Sequence, residues 1–153
     1  MVSLNVIPLG NMRTTFSEII DGKCEASFVY RDDLVSAFLD IEPINPGHVL
    51  VVPNKSVSSL SDLDDETSAR LFNVAKRIAD AIRKSDIRCD GINLFLADGE
   101  AAGQEVFHVH LHVVPRVRKD GFQLKFPDTG HFQTNRSELD RVAKIIESSL
   151  RAV

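Results

Sequence analysis

The feature that most constrains this chain is a row of histidines that alternates with apolar residues: His108, His110 and His112. Val109 and Leu111 lie between them. Successive side chains of a strand point to opposite faces, so the spacing predicts a strand with three imidazoles on one face, about 6.5 to 7 Å apart. The Val and Leu side chains would then face the core. Three polar rings in a row need hydrogen-bond partners or solvent, which packing alone does not explain.

Three interpretations of this row compete. The first is a polar strand face of hydrogen-bonded histidines. The second is a zinc site, although three same-face positions span too far for ligands that must converge to about 2 Å, and no carboxylate follows in the strand. The third is nucleophilic and acid–base catalysis by imidazoles, with the loop Gly99–Gly103 giving backbone room for an anion.

Composition excludes several other classes of protein. The chain has 153 residues, of which 43% are hydrophobic and 26% charged, as in one ordinary globular domain. A net charge of −4 gives no general attraction for nucleic acid or an anionic membrane. Apolar stretches such as Val49–Pro53 are too short to cross a bilayer, and the first residues do not resemble a signal peptide. Cys24 and Cys89 are therefore expected to be free thiols in a cytoplasmic protein.

The periodicity of apolar residues predicts an α+β domain over residues 13–153, after a loose leader over 1–12. Two main amphipathic helices are expected, one over about 64–84 and one from a Ser137 cap to about Arg151, with a short helix capped by Thr14 or Thr15 before them. Connections too short for crossovers predict a five-stranded antiparallel sheet with helices covering one face. The strands are expected at 26–31, 34–41, 48–53, 91–97 and 106–115.

Two segments carry a family resemblance. The stretch DGEAAGQEVFHVHLHVVPR, Asp98–Arg116, resembles the signature of the histidine triad (HIT) family. Upstream, Asp40-Ile41 and the string Pro46–Pro53 resemble the second signature of that family. The motifs are most similar to the branch that contains the fragile histidine triad protein and its bacterial relatives. The resemblance implies a HIT-like fold and a homodimer.

The resemblance also implies catalytic roles for four histidines. His110 resembles the nucleophile that attacks an α-phosphorus and becomes nucleotidylated. His112 resembles its partner, which hydrogen-bonds the α-phosphate oxygens, and His108 the outer member that positions its neighbours. His48 resembles a fourth histidine that contacts the imidazole of the nucleophile and fixes its tautomer.

Substrate-binding residues follow from the same resemblance. Asp40 resembles the residue that binds the ribose hydroxyls, and Ile41 a neighbour against the base. Gln104 resembles a glutamine near the phosphate, in the loop to which Gly103 belongs. Glu105 stands where several branches have Ser or Thr; we expect its carboxylate to point away and its backbone amide to bind. Asp40 and Gln104 also fit purely structural roles, at a strand end and in a loop.

The implied function is a nucleotidyl hydrolase or transferase that acts on purine nucleotide derivatives, with dinucleoside polyphosphates favoured. Alternatives are hydrolysis of nucleoside phosphoramidates or adenylates, and a nucleotide-binding module with little turnover. The last is motivated by Glu105 and by Ala97, which stands where the family usually has Asn or Gln.

No metal cofactor is expected. Some bacterial members hold a structural zinc with a Cys-x-x-Cys pair and a His, but the matching positions here are Thr14, Ser17 and Ser56. Magnesium would enter only with a polyphosphate substrate. The fifth histidine, His131, matches nothing in the family pattern and is expected in a solvated loop.

Overall fold

The computed structural model of the chain describes residues 13–123 and 134–153. The predicted leader and His131 lie outside these residues. The elements, in chain order, are α1 (Thr15–Ile20), β1 (Phe28–Arg31), β2 (Val35–Leu39), β3 (Val49–Pro53), α2 (Asp65–Lys84), β4 (Gly91–Phe95), β5 (Leu111–Arg116) and α3 (Arg136–Leu150). Short 3-10 turns cover Leu60–Asp62 and Glu100–Ala102. None of the described helices is long and apolar enough to cross a membrane.

The five strands form one antiparallel sheet in the order β1-β2-β3-β5-β4, which confirms the predicted α+β class. β1 and β2 form a hairpin whose turn is closed by Asp32, because its Oδ1 accepts hydrogen bonds from the backbone amides of Leu34 and Val35. β3 lies at the centre and is fully buried, and β5 lies between β3 and β4 with three of its six residues buried. The histidine-bearing strand therefore has a neighbour on each side.

Helices pack on both faces of the sheet, and not on one as the sequence predicted. The apolar face of α2 packs on the strand face that carries Val49, Val51 and Val113. The opposite strand face, which carries Phe38, Leu50 and Val52, packs on the short helix α1. The apolar pattern of α1 covers only six residues, which is too short to predict the face of the sheet on which the helix packs. Its two buried side chains nevertheless complete the second core cluster.

The N-terminal caps of the helices can be compared with those that the sequence predicts for α1 and α3. Thr14 caps α1 and Asp64 caps α2, and each side chain accepts a hydrogen bond from the first turn. The cap of α3 is Asn135, so the predicted Ser137 cap is wrong. Asn135 Oδ1 accepts from both the Glu138 amide and the Ser137 hydroxyl. Both residue types are good caps, and two of them two positions apart leave the sequence ambiguous.

The chain divides into two compact units, the first ending at Asp120 and the second covering Gly121–Val153. In the second unit, α3 exposes an apolar stripe along one side: Leu139, Val142, Ile145, Ile146 and Leu150. The sequence predicts that this helix belongs to the single domain over 13–153.

Candidate active site

The predicted site residues lie on β5, in the loop before it, just before β3 and just after β2. His112 lies on β5, opposite Leu50 of β3 and Phe95 of β4. His48 immediately precedes β3, and Asp40 follows β2; the Asp40 amide donates to the His48 carbonyl over 3.0 Å. These backbone pairings bring the two sequence signatures together.

Gly47 sets the position of His48. Its φ of 89° is a conformation that favours glycine, and a Cβ there would lie 3.2 to 3.3 Å from side-chain atoms of Ile87 and Pro115. The chain can therefore pass close to the end of β5 only with glycine at this position. This gives the Pro-Gly-His string a physical reason.

The regular ladder of β5 begins at Leu111, later than predicted. Before it, the Val109 amide donates to the Val57 carbonyl and the His108 amide to the Val106 carbonyl, so the chain pairs locally at this point. The alternation of faces still holds, because Val109 and Leu111 pack in the α2 cluster. The His110 and His112 rings lie together on the other side, with centroids 4.8 Å apart.

His108 is completely buried, and its surroundings fix its tautomer. Nε2 lies 2.8 Å from the Pro53 carbonyl, which can only accept, so Nε2 carries the proton. Nδ1 then accepts from the Thr14 hydroxyl at 3.0 Å. Burial lowers the pKa of His108, with a smaller contribution from His110, so the ring is neutral at neutral pH. The structure makes this ring a link between α1 and the end of β3.

His110 is held in the tautomer that leaves Nε2 unprotonated. Its Nδ1 lies 2.7 Å from the carbonyl of His108, so Nδ1–H donates to that oxygen. Within the described residues, Nε2 has no hydrogen-bond partner, and its lone pair is available. The edge of Phe16 packs against the ring with centroids 5.1 Å apart. A neutral imidazole with a free Nε2 lone pair is what nucleophilic attack requires.

His48 hydrogen-bonds to His112, and among the described residues no hydrogen bond or ring contact joins it to His110, which differs from the predicted contact with the nucleophile. The Ile44 amide donates to Nδ1 of His48 at 3.2 Å, which leaves the proton on Nε2. His48 Nε2–H then donates to His112 Nδ1 at 2.9 Å. The tautomer that His48 fixes is therefore that of His112, whose own Nε2 must carry a proton.

Phe95 is a site residue that the sequence analysis missed. Its ring stacks on His112 with centroids 4.1 Å apart and an interplanar angle of 15°. Burial, followed by the nearby His110 and His48, lowers the pKa of His112 to about 4. No local motif pointed to Phe95, because its contact depends on the register that pairs it with His112 across β4 and β5.

Asp40 lies beside the two linked imidazoles. Its Oδ2 is 3.6 Å from His48 Nε2, and its Oδ1 accepts from the Glu42 amide at 2.9 Å. Each of Asp40, His48 and His112 offers one atom that could bind a metal ion, and these three atoms lie within 4.8 Å of one another. In this arrangement the Ile44 amide occupies the only lone pair of neutral His48, so His48 would have to lose that hydrogen bond or its Nε2 proton to bind a metal ion.

Gln104, in the glycine loop, makes hydrogen bonds through both polar atoms of its side chain. This buried side chain accepts from the Gly99 amide at 2.7 Å and donates to the carbonyls of Ser58 and Val106. The amide nitrogen thus bonds to one carbonyl in the segment after β3 and one in its own loop, which matches the structural alternative, and the predicted position near a phosphate stays a prediction. Gly103 takes the left-handed conformation at φ 85°, and the Glu105 side chain is exposed.

Ile41 is 90% exposed, directly after Asp40 in the chain. This apolar side chain is open to solvent, so its predicted contact with a base stays a prediction. The structure thus places Asp40 beside His48, and Ile41 follows it in the chain.

Comparisons with known proteins agree on one family. The HIT domain model matches residues 21–119. An uncharacterised HIT-like protein of Borreliella burgdorferi is 45% identical over 111 residues, which cover 72% of this chain and 80% of that protein. The purine nucleoside phosphoramidase of Escherichia coli is 36% identical over 104 residues, 66% of this chain and 85% of that enzyme. The crystal structure of a HIT family member from Bacillus subtilis superimposes with a TM-score of 0.80 at 33% identity, over 90% of this chain and 96% of that one.

Proposed function

The chain belongs to the HIT family of nucleotide-binding hydrolases and transferases, and on that premise we propose that it cleaves purine nucleotide derivatives at the α-phosphate through a nucleotidyl-His110 intermediate. The observation that carries the proposal is the pair of opposite tautomers in adjacent rings. His110 presents a bare Nε2 and His112 presents an Nε2–H, with ring centroids 4.8 Å apart. A nucleophile and a hydrogen-bond donor thus lie side by side.

In the first step, the Nε2 lone pair of His110 forms a bond to the α-phosphorus. The bond from phosphorus to the leaving group breaks, and its electron pair goes with that group. The His110 ring becomes positively charged, and the His108 carbonyl that accepts Nδ1–H stabilises this charge. His112 Nε2–H donates to a non-bridging phosphate oxygen, where negative charge is held in the transition state.

In the second step, water attacks the phosphorus and gives up a proton to solvent. The nitrogen–phosphorus bond breaks and returns its electron pair to Nε2. Burial lowers the pKa values of His108 and His112, which disfavours a positive charge on these rings in the empty site, whereas an anionic phosphate makes their protonation less costly. We propose that no resident metal takes part and that Mg²⁺ enters only with a polyphosphate substrate.

The ribose and the base would lie toward Asp40 and Ile41. The Asp40 carboxylate retains acceptor capacity beyond its bond to the Glu42 amide, and ribose supplies hydroxyl donors. The exposed Ile41 side chain would pack on the purine. Adenosine derivatives are the first candidates, with dinucleoside polyphosphates favoured by the sequence motifs.

A second candidate substrate class is the nucleoside phosphoramidates. The observation that favours it is the 36% identity with the E. coli purine nucleoside phosphoramidase. The two classes share the attack at phosphorus and differ only in the leaving group. Measuring kcat/KM for diadenosine triphosphate and for adenosine 5′-phosphoramidate decides between them.

We further propose a homodimer, as the family resemblance implies.

The experiment that tests the mechanism traps the intermediate. Wild-type protein is mixed with adenosine 5′-phosphoramidate, and separately with diadenosine triphosphate, quenched at alkaline pH and weighed by intact mass spectrometry. We expect an added adenylyl group at His110, absent in His110→Ala and present in the matched control His131→Ala. His110→Ala should lower turnover by at least about 10²–10⁴-fold. Full activity of this variant would contradict the mechanism, and nucleotide binding without any turnover in the wild type would favour a binding module.

A further inference from the structure

The hydroxyl of Thr14, at the start of α1, is linked to the proposed nucleophile through two hydrogen bonds. Thr14 bonds to the His108 ring, and the His108 carbonyl bonds to the His110 ring. We propose that Thr14 is a positioning residue, which fixes the ring of His108 and through it the backbone oxygen that orients His110. The effect on rate rests on the proposed function, whereas the effect on the His108 ring does not.

The hydroxyl group of Thr14 accepts one hydrogen bond, and its proton can be donated to one acceptor, the His108 ring. Oγ1 accepts from the Ser17 amide at 3.2 Å, as expected of a helix cap. The hydroxyl proton is then available for His108 Nδ1, 3.0 Å away. Ser17 completes the cap, since its Oγ accepts from the Thr14 amide and donates to the Thr14 carbonyl, both at 2.8 Å. The Ser17 amide, which Ser17→Ala retains, therefore holds the Thr14 hydroxyl in the orientation that reaches His108.

The position of His108 makes this contact consequential. The ring is completely buried, and its other nitrogen is bonded to the Pro53 carbonyl. Without the Thr14 hydroxyl, Nδ1 would be a buried acceptor with no partner, which favours a ring flip or a shift of the backbone toward water. A shift at residue 108 moves the oxygen that holds His110 Nδ1–H. Small displacements of a positioned group are costly in rate.

A second contact of α1 supports the same role. Phe16 packs edge-on against both His108 and His110, with centroids 6.0 and 5.1 Å apart, and also against Phe38 in the sheet. The helix thus reaches the histidine row through an apolar ring and a hydroxyl. Of these two contacts, only the hydroxyl can donate a hydrogen bond to Nδ1 of His108, whose tautomer the Pro53 carbonyl sets.

Three variants separate positioning from helix stability. Thr14→Val keeps the shape and removes the hydroxyl, Thr14→Ser restores the hydroxyl, and Ser17→Ala weakens the same cap without touching His108. We expect Thr14→Val to lower kcat about tenfold or more with KM within about twofold, and Thr14→Ser to retain the wild-type kcat. Ser17→Ala should lower the melting temperature but not kcat. Equal losses of kcat in Thr14→Val and Ser17→Ala, or no loss in Thr14→Val, would overturn the proposal.

A spectroscopic measurement tests the same proposal without turnover. In ¹⁵N NMR of the imidazoles, we expect the His108 Nδ1 signal to shift in Thr14→Val and to stay in place in Thr14→Ser and Ser17→Ala. An unchanged His108 signal in Thr14→Val would overturn the positioning role even if no substrate is turned over. If the signal shifts but wild-type protein forms no nucleotidyl intermediate, the proposed function fails and the link from Thr14 to His108 stands.

Discussion

His108 and His112 are equally distant from His110 along the chain, yet their surroundings are opposite. His108 is completely buried and bonded to a hydroxyl and a backbone carbonyl. His112 is only partly buried, accepts from another imidazole and stacks on Phe95. Equal spacing thus produced one ring that is bonded at both nitrogens and one that keeps an Nε2–H for a ligand. The comparison teaches that a repeated residue does not imply a repeated role.

The largest effect that this comparison predicts concerns the rate at His112. His112→Asn keeps an acceptor for His48 Nε2–H but lacks the Nε2–H donor, so we expect turnover to fall by about 10²–10⁴-fold with a melting temperature close to wild type. His112→Gln, whose amide nitrogen reaches nearer to the position of Nε2, should recover part of the rate. Steady-state kinetics beside melting curves check this. Unchanged turnover in His112→Asn would mean that the ring has no role in the chemistry.

The next effect is on stability and concerns the other end of the row. His108→Leu deprives the buried Pro53 carbonyl of its imidazole donor and the half-buried Thr14 hydroxyl of its acceptor, which should lower the free energy of unfolding by about 2–4 kcal/mol. The protein that stays folded should lose about tenfold in kcat, as in Thr14→Val. Urea unfolding of this variant beside His112→Asn measures the contrast. If His112→Asn were the less stable of the two, the assigned roles would be reversed.

Much of this arrangement followed from the sequence because it depends on local rules. Alternation placed Val109 in the core, and cap preferences limited the start of α1 to Thr14 or Thr15, of which Thr14 is the cap. The partner of His48 and the stacking of Phe95 depend on strand register and on the loop before β3, which no local pattern encodes. The sequence could name the histidines but could not say which nitrogen of each carries a proton.

A smaller effect is expected at Asp40. Its carboxylate should accept hydrogen bonds from the ribose hydroxyls, so wild-type protein should prefer ribonucleotides over 2′-deoxyribonucleotides by about tenfold or more. Asp40→Ala should lose most of this preference and keep the chemistry of His110. Kinetics with both sugars, with melting curves alongside, give the answer. If the variant loses stability and keeps its discrimination, Asp40 serves only to close the turn after β2.

The smallest effect concerns the pKa of His112. Phe95→Leu admits water to the ring, so this pKa should rise from about 4 by up to about one unit. A titration of the ring by NMR measures it. The matched control is Phe72→Leu, since Phe72 is 59% exposed on α2 and makes no ring contact with a histidine among the described residues. An unchanged pKa in Phe95→Leu would show that the stacking does not shield His112.

The free energy of unfolding should decrease as the pH falls, because three histidines are wholly or partly buried. Burial lowers the pKa values of His48, His108 and His112 below the ordinary 6.5, so the unfolded chain binds protons first as the pH falls. The free energy of unfolding should be highest above pH 6.5 and decrease below it, with the contribution from His112 lost down to about pH 4. Melting curves between pH 8 and 4 check this, and His112→Asn should show a shallower decrease.

The measurement that tests the central claim most directly is the ¹⁵N NMR spectrum of the imidazoles in the wild-type protein at neutral pH. The two adjacent rings should show opposite tautomers, with His110 protonated at Nδ1 and His112 at Nε2. Signals are assigned by their loss in His110→Ala and His112→Asn. A His110 ring protonated at Nε2, or the same tautomer in both rings, would contradict the account, because the nucleophile and the donor would then not exist together in the resting site.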